Sequence, residues 1–308
     1  MKKQYLLFLG VVVWCILCGN LQASEIEQIQ EKGEIIVSLN KDYPPFSMDK
    51  DGKPMGLDVD LARLLAEYMG VKVKFIRPAL YEEQIPALLS GKADIIIAAM
   101  TRTAERGLLV NFTDPYFAVS QAALVKREKV ASDAESYFDL TNIPNLKLGV
   151  KAGTTHEAFA RQLFSKEAIV TYPTVDAAAK ALINNKIDAV TADSPFVRVW
   201  RATHPSLHPQ VKALLAPVTQ ESYGFAIRKG DQDFLNWLNL FIDQIRADGT
   251  LDLLIHEYFV QLKWTKISAS AAATTPAQML NNKFLQQKKE MLEERRIRAI
   301  NEKGGTYE

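Results

Sequence analysis

Twice along the chain a helical pattern stops at a polar turn, and an aspartate then opens an apolar run. The first instance is Ser90-Gly91-Lys92-Ala93-Asp94-Ile95 and the second is Asn184-Asn185-Lys186-Ile187-Asp188-Ala189. Each closes a longer alternating series. In the first, residues 34–39 read as a buried strand and 58–69 as a helix, with Leu61, Leu64, Leu65 and Tyr68 on one face and Gly70 to end it. Residues 71–76 alternate like a strand, 82–89 form a short helix, and 94–99 suit a strand buried on both faces. In the second series, strands at 146–150, 169–172 and 187–192 alternate with helices at 155–164 and 175–183. A β-α-β-α-β order predicts a parallel sheet covered by helices. Two such units in 308 residues predict two α/β lobes.

The rest of the chain is arranged around these units. Residues 121–125 are extended, and 126–145 form a polar stretch between the units. A strand at 223–228 and amphipathic helices at 234–247 and 250–259 follow the second unit. These late helices need a sheet to cover, and the first lobe is the expected one. At the N-terminus, Lys2 and Lys3 precede an apolar run from residue 5 to 18 and a polar stretch ending at Ala23, the three-part pattern of a secretory signal peptide. The run is 14 residues long, short of the ~20 that a membrane-spanning helix needs. Cleavage after Ala23 removes Cys15 and Cys18, leaving no cysteine for disulfides or metal. Lipid anchoring through Cys18 is the rival reading, with Leu17 a poor fit before it. The chain holds 37 basic and 36 acidic residues; loss of Lys2 and Lys3 leaves 35 against 36. So even a balance argues against a nucleic-acid partner. Residues 268–275 resemble a linker. A charged helical pattern follows, with seven basic and five acidic residues from Ala277 onward and a ragged apolar stripe of Leu280, Phe284, Met291 and Leu292. It reads as a solvated helix, or else as a partner- or membrane-surface helix.

Ligands of open parallel sheets bind beyond the carboxyl ends of strands, and four such ends carry polar or aromatic residues. After the first strand, Asn40-Lys41-Asp42-Tyr43-Pro44-Pro45-Phe46 places Tyr43 and Phe46 on a turn stiffened by proline, as pocket walls or as ordinary packing. Ala99-Met100-Thr101-Arg102-Thr103-Ala104-Glu105-Arg106 ends a strand and starts a helical turn, with Thr103 as cap. Arg106 there is either a surface residue or a fork for a carboxylate, with Thr101 a further donor. In Lys151-Ala152-Gly153-Thr154-Thr155-His156-Glu157, Thr154 and Glu157 match a capping box, Thr155 can face a ligand carboxylate, and His156 reads as solvated. In Ala192-Asp193-Ser194-Pro195, Pro195 fits a first helical position, and Asp193 either caps that helix or pairs with a ligand ammonium.

In their order these segments resemble the family-3 periplasmic solute-binding proteins, the amino-acid receptors of ATP-driven importers. The likeness runs from about Gly33 to Phe259. It rests on Tyr43-Pro44-Pro45-Phe46, Gly56-Leu57-Asp58-Val59-Asp60-Leu61-Ala62, Ile85-Pro86-Ala87-Leu88-Leu89-Ser90-Gly91-Lys92-Ala93-Asp94 and Met100-Thr101-Arg102-Thr103-Ala104-Glu105-Arg106. It continues through Phe112-Thr113-Asp114-Pro115-Tyr116, Gly149-Val150-Lys151-Ala152-Gly153-Thr154-Thr155 and Asp248-Gly249-Thr250-Leu251. The resemblance implies a type II periplasmic-binding-protein fold, two α/β lobes with mainly parallel sheets joined by two hinge strands. The expected boundaries are 1–23 for the signal peptide, 24–122 plus 223–264 for lobe 1, 123–222 for lobe 2, and 265–308 for linker and tail.

It also implies roles. Arg106 would hold a ligand α-carboxylate with Thr101 and Thr155, and Asp193 would take the α-ammonium. Tyr43 and Tyr81 would sandwich the side chain, and Ala99 would offer a carbonyl. Asn40, Phe46, Lys151 and Glu221 are further candidates. Many amino-acid binders have an acid where this chain has Asn40, which disfavours a basic ligand side chain; Glu221 is a possible substitute. No catalytic residue, metal or cofactor is expected. The implied function is extracytoplasmic capture of a small polar ligand by hinge closure for an importer permease. A sensing receptor and a periplasmic dehydratase-like enzyme on the same fold are the alternatives.

Overall fold

The computed structural model describes residues 24–50, 52–262 and 264–265. The expected signal peptide, the Cys18 anchor and almost all of the 265–308 tail lie outside the described residues.

Two five-stranded sheets organise the chain. The first has the order Lys72–Ile76, Glu34–Ser38, Ile95–Ile96, Ala226–Ile227, Asn111–Phe112. Its first three strands are parallel and its last two pairings antiparallel. The second has the order Ile169–Tyr172, Leu148–Lys151, Ala189–Asp193, Gln121–Lys126, Val211–Leu214, again parallel across three strands and antiparallel across the remainder. A separate antiparallel pair, Phe117–Val119 with Glu221–Tyr223, carries the chain out of the first sheet and back to it. Gln121 pairs with Asp193 in the second sheet, directly after this outward crossing.

The elements form for local reasons. The helix Glu25–Lys32, not expected from the sequence, starts on a reciprocal cap between Ser24 and Glu27 and ends on left-handed Gly33. The helix Leu57–Met69 buries Leu57, Val59, Leu61, Leu65 and Met69 and ends on left-handed Gly70. Thr154 and Thr174 cap the helices Thr155–Leu163 and Val175–Ile183 with their side chains. The expected strand at 94–99 is paired only over Ile95–Ile96, and the backbone at Ala99 is left-handed (φ 48°). The expected strand at 223–228 is split: Glu221–Tyr223 lies in the crossing pair, Ala226–Ile227 lies in the first sheet, and Gly224 stands between them. A side chain at Gly224 would meet Arg102 Cδ at 2.9 Å and Thr113 O at 3.1 Å, so only glycine fits there.

The late helices return to the first sheet. Gln232–Ala247 buries Phe234, Leu238, Phe241, Ile242 and Ile245. Arg228 ties the returning strand to the N-terminal helix through Glu25 (2.8 Å) and to the carbonyls of Leu88 and Ala93. Among the described residues, no helix is long and apolar enough to cross a membrane.

Candidate functional site

The carboxyl ends of the parallel strands in both sheets open onto one cavity. Six of its lining residues come from the first lobe (Asn40, Tyr43, Tyr81, Ala99, Thr101, Arg106) and six from the second (Lys151, Thr154, Thr155, His156, Val175, Asp193). About 290 Å³ of space free of atoms lies between these residues, mouth and adjoining solvent included.

On the first-lobe wall, the turn Ala104–Gly107 begins at Thr103, whose hydroxyl accepts the Arg106 N–H (3.2 Å). That fixes where the guanidinium leaves the backbone. Arg106 Nη1 donates to Thr101 O (2.8 Å), and its Cζ lies 5.7 Å from the centre of the Tyr81 ring. Tyr81 donates to Ala99 O at 3.5 Å, and burial pushes its hydroxyl pKa upward. The unusual backbone at Ala99 is supported from below. Asp58, wholly buried, accepts the Tyr116 hydroxyl at 2.7 Å. Burial lifts the Asp58 carboxyl to about 7, against that hydrogen bond.

The second-lobe wall is more highly charged. Asp193 ends the strand Ala189–Asp193 and stands at the cap position of Ser194–Thr203, yet its side chain caps nothing. Its Oδ2 accepts from Tyr43 (3.0 Å) and Tyr223 and faces His156 Nε2 at 3.3 Å. Burial opposes its charge most strongly, but His156 and the two tyrosine hydroxyls together hold the carboxyl below its ordinary range. Its other oxygen, Oδ1, is buried and takes no hydrogen bond from the described residues. Lys151, only 4% exposed, extends across the cavity to Asn40 Oδ1 (2.9 Å) and lies 4.6 Å from the Tyr81 ring centre and 5.6 Å from that of Tyr43.

The lobes touch each other around this cavity. Tyr43–Asp193 and Lys151–Asn40 are contacts between lobes, as are Thr101 Oγ1 to Thr155 Oγ1 and Arg106 Nη2 to Gly153 O, both 3.5 Å.

Of the residues expected from the sequence, Tyr43, Tyr81, Ala99, Thr101, Arg106, Thr155 and Asp193 line the cavity together, as do Asn40 and Lys151. Phe46 does not. It is fully buried, stacks on Tyr43 at 5.6 Å and meets Phe117, Tyr223 and Phe259 edge-on, so it supports Tyr43 from the core. Glu221 does not either, because its carboxylate accepts from Gln121 Nε2 at 3.0 and 3.3 Å. His156 is 3% exposed, not solvated, and joins Gln121 Oε1 (2.8 Å) to Asp193. The capping box at Thr154 is also incomplete. Thr154 accepts the Glu157 N–H, but Glu157 accepts the Gly153 N–H, not that of Thr154.

In the sequence Gln121 and Tyr223 read only as members of an extended segment and a strand, not as site residues. They connect the crossing strands to Asp193, and their partners lie 30 or more residues away. Among the described residues, no group of three or more His, Cys, Asp or Glu could hold a metal ion.

Residues 35–261 match the family "Bacterial extracellular solute-binding proteins, family 3". ABC transporter arginine-binding protein 1 of Escherichia coli (strain K12) is 29% identical over 230 residues, covering 74% of this chain and 91% of the relative. A Wolinella succinogenes DSM 1740 structure complexed with lysine is 42% identical with a TM-score of 0.71, covering 76% of this chain and 98% of that one. The ancestral amino acid-binding protein AncCDT-1, a precursor of cyclohexadienyl dehydratase, is 38% identical with a TM-score of 0.68, covering 77% and 100%.

Proposed function

The chain belongs to the bacterial extracellular solute-binding proteins of family 3, and on that premise we propose that it captures an amino acid outside the cytoplasm by closing its two lobes and delivers it to an ABC importer. The observation that carries this reading is the pairing of opposite charges across one cavity. Arg106 stands on the first lobe, and Asp193 with its unpartnered Oδ1 stands on the second. A guanidinium fork suits an α-carboxylate, and Thr101 and Thr155 add hydroxyl donors. The free oxygen of Asp193 suits an α-ammonium. The rings of Tyr43 and Tyr81 flank the space beyond.

Hinge closure fits the connectivity. Two short crossing strands join the lobes, and a ligand bridging Arg106 and Asp193 touches both, so it favours the closed arrangement over the open one. Closure also removes water, which strengthens each charge-assisted bond. The permease would read the closed shape, and the protein works by binding without chemistry.

A thermal-shift screen of the protein against the amino acids, with prephenate included, tests this. One amino acid at a hundredfold excess over its Kd should stabilise the fold by about 2.7 kcal/mol. That shift should disappear in Arg106→Ala and Asp193→Asn. A ligand that still stabilises both variants overturns the site assignment. Prephenate that binds and is consumed replaces the reading with a dehydratase-like enzyme.

A further inference from the structure

Beside the proposed carboxylate clamp, the cavity lining holds a second positive charge that the proposed backbone contacts leave unused. Arg106 and Asp193 balance the two ends of an amino-acid backbone. Lys151 remains. Its stem is buried at the end of the strand Leu148–Lys151, and its ammonium meets Asn40 Oδ1 at 2.9 Å. An ammonium has three donors, and Asn40 is its one hydrogen-bond acceptor among the described residues. The Tyr81 and Tyr43 rings flank it, so it is neither solvated nor at the surface.

Among the described residues lining the cavity, Asp193 is the only carboxylate, and it is engaged with His156, Tyr43 and Tyr223. Asp42, partly buried, and Glu82, exposed, attract Lys151 from outside the cavity lining, and Asp193 attracts it more weakly from within the lining. Their attraction does not offset burial, which draws the lysine down to about 8.

Resting on the amino-acid reading above, we infer that this subsite selects an acidic side chain: the ligand is an amino acid ending in a carboxylate that pairs with Lys151 and accepts from the Asn40 amide. A side-chain carboxylate gives the buried ammonium a directly paired counter-charge and fills its open donors with charge-assisted bonds. An amide ligand supplies one neutral acceptor and no charge. A lysine or arginine ligand sets a second cation beside Lys151 in a site of low polarisability and finds no carboxylate at Asn40 to offset the repulsion. This departs from the lysine held by the Wolinella succinogenes relative.

Calorimetric titration of the full chain with L-glutamate, L-aspartate, L-glutamine, L-lysine and L-arginine tests the proposal. One acid should bind at least about tenfold more tightly than glutamine and more tightly still than either base. Lys151→Met should remove that preference, lowering the acid's affinity at least about tenfold while glutamine changes little. Asn40→Asp places an acid beside the ammonium and should also erase the preference, so it decides the matter if Lys151→Met does not fold. Tightest binding of glutamine, lysine or arginine overturns the acidic subsite and leaves the amino-acid reading standing, and so does a Lys151→Met protein that keeps its preference. Failure of every amino acid to bind overturns both.

Discussion

Asp94 in the first lobe and Asp188 in the second perform the same task. Asp94 Oδ2 accepts the Ile36 N–H (2.7 Å) while its own N–H donates to Ile36 O, and Asp188 does the same with Lys147 (3.0 and 2.8 Å). Each aspartate thereby pins the third strand of its unit to the first. Each also draws two cations: Lys32 and Arg228 around Asp94, Lys126 and Lys129 around Asp188. Beyond this shared joint the lobes diverge. The first-lobe strand bends at left-handed Ala99 and leads to Arg106. The second runs straight into Asp193 and the proline-started helix Ser194–Thr203. Their buried acids diverge as well, since burial lifts Asp58 to about 7 and the partners of Asp193 hold it low. A repeated scaffold thus carries two different chemistries, because the joint that fixes the strands lies away from the strand ends that bear the site.

That contrast can be broken most forcefully at Asp58. Its raised pKa means that the folded state keeps a proton which the unfolded chain releases from near pH 4 upward. Its contribution to stability is therefore complete below pH 4 and is lost as pH rises to about 7. The loss amounts to up to about 4 kcal/mol, at about 1.4 kcal/mol per unit. Asp58→Asn cannot ionise, so its urea midpoints should exceed the parent's at pH 8 and approach them at pH 4. Parallel profiles would show that Asp58 is already ionised in the fold. Asp193 works with the opposite sign, since the stability it gives is present above the ordinary carboxylate range and lost as pH falls.

Gly56 comes next. The helix after the first-lobe ligand loop begins at this glycine, with φ 136°, and an added Cβ would lie 2.2 Å from Phe46 O. Gly56→Ala should cost on the order of 3 kcal/mol in denaturant unfolding. A loss under 1 kcal/mol would mean that the loop around Phe46 yields easily.

The shared joint itself is tested by Asp94→Ala and Asp188→Ala. Each strips a backbone N–H of its acceptor and should cost roughly 1–3 kcal/mol. Similar losses sustain the equivalence of the lobes, and a loss in one alone ends it. The smallest effect is expected at Thr154, which starts the helix Thr155–Leu163 with a side-chain cap that the corresponding first-lobe helix Leu57–Met69 lacks. Thr154→Ala should lower stability by about 1 kcal/mol, and a neutral result would leave the cap to Glu157 and its bond to Gly153.

Much of the scaffold was readable because it is local. The helix Val175–Ile183 and the strand Ile169–Tyr172 have the boundaries that their patterns predict, since periodicity and caps act within a few residues. The role of His156 was not readable. The acid beside it in the sequence, Glu157, accepts from the Gly153 N–H and from Arg161 instead. Asp193 reaches it only because the strands Leu148–Lys151 and Ala189–Asp193 pair in parallel and end side by side. Tyr43 and Phe46 illustrate the same limit at short range: both are aromatic and both lie on one turn, but one ring faces the cavity and the other faces the core.

By itself the sequence determined the two α/β units, the aspartate joints that repeat between them and the strand ends from which a site could be built. Hydrophobic period, capping and turn chemistry are short-range and write themselves into the order of residues. Only the tertiary structure decided which polar groups meet. It set Lys151 against Asn40, joined His156 to Asp193 and left one oxygen of Asp193 without a partner among the described residues. Those contacts depend on strand register and on the closure of one lobe upon the other, and both are long-range consequences of packing that no single segment encodes.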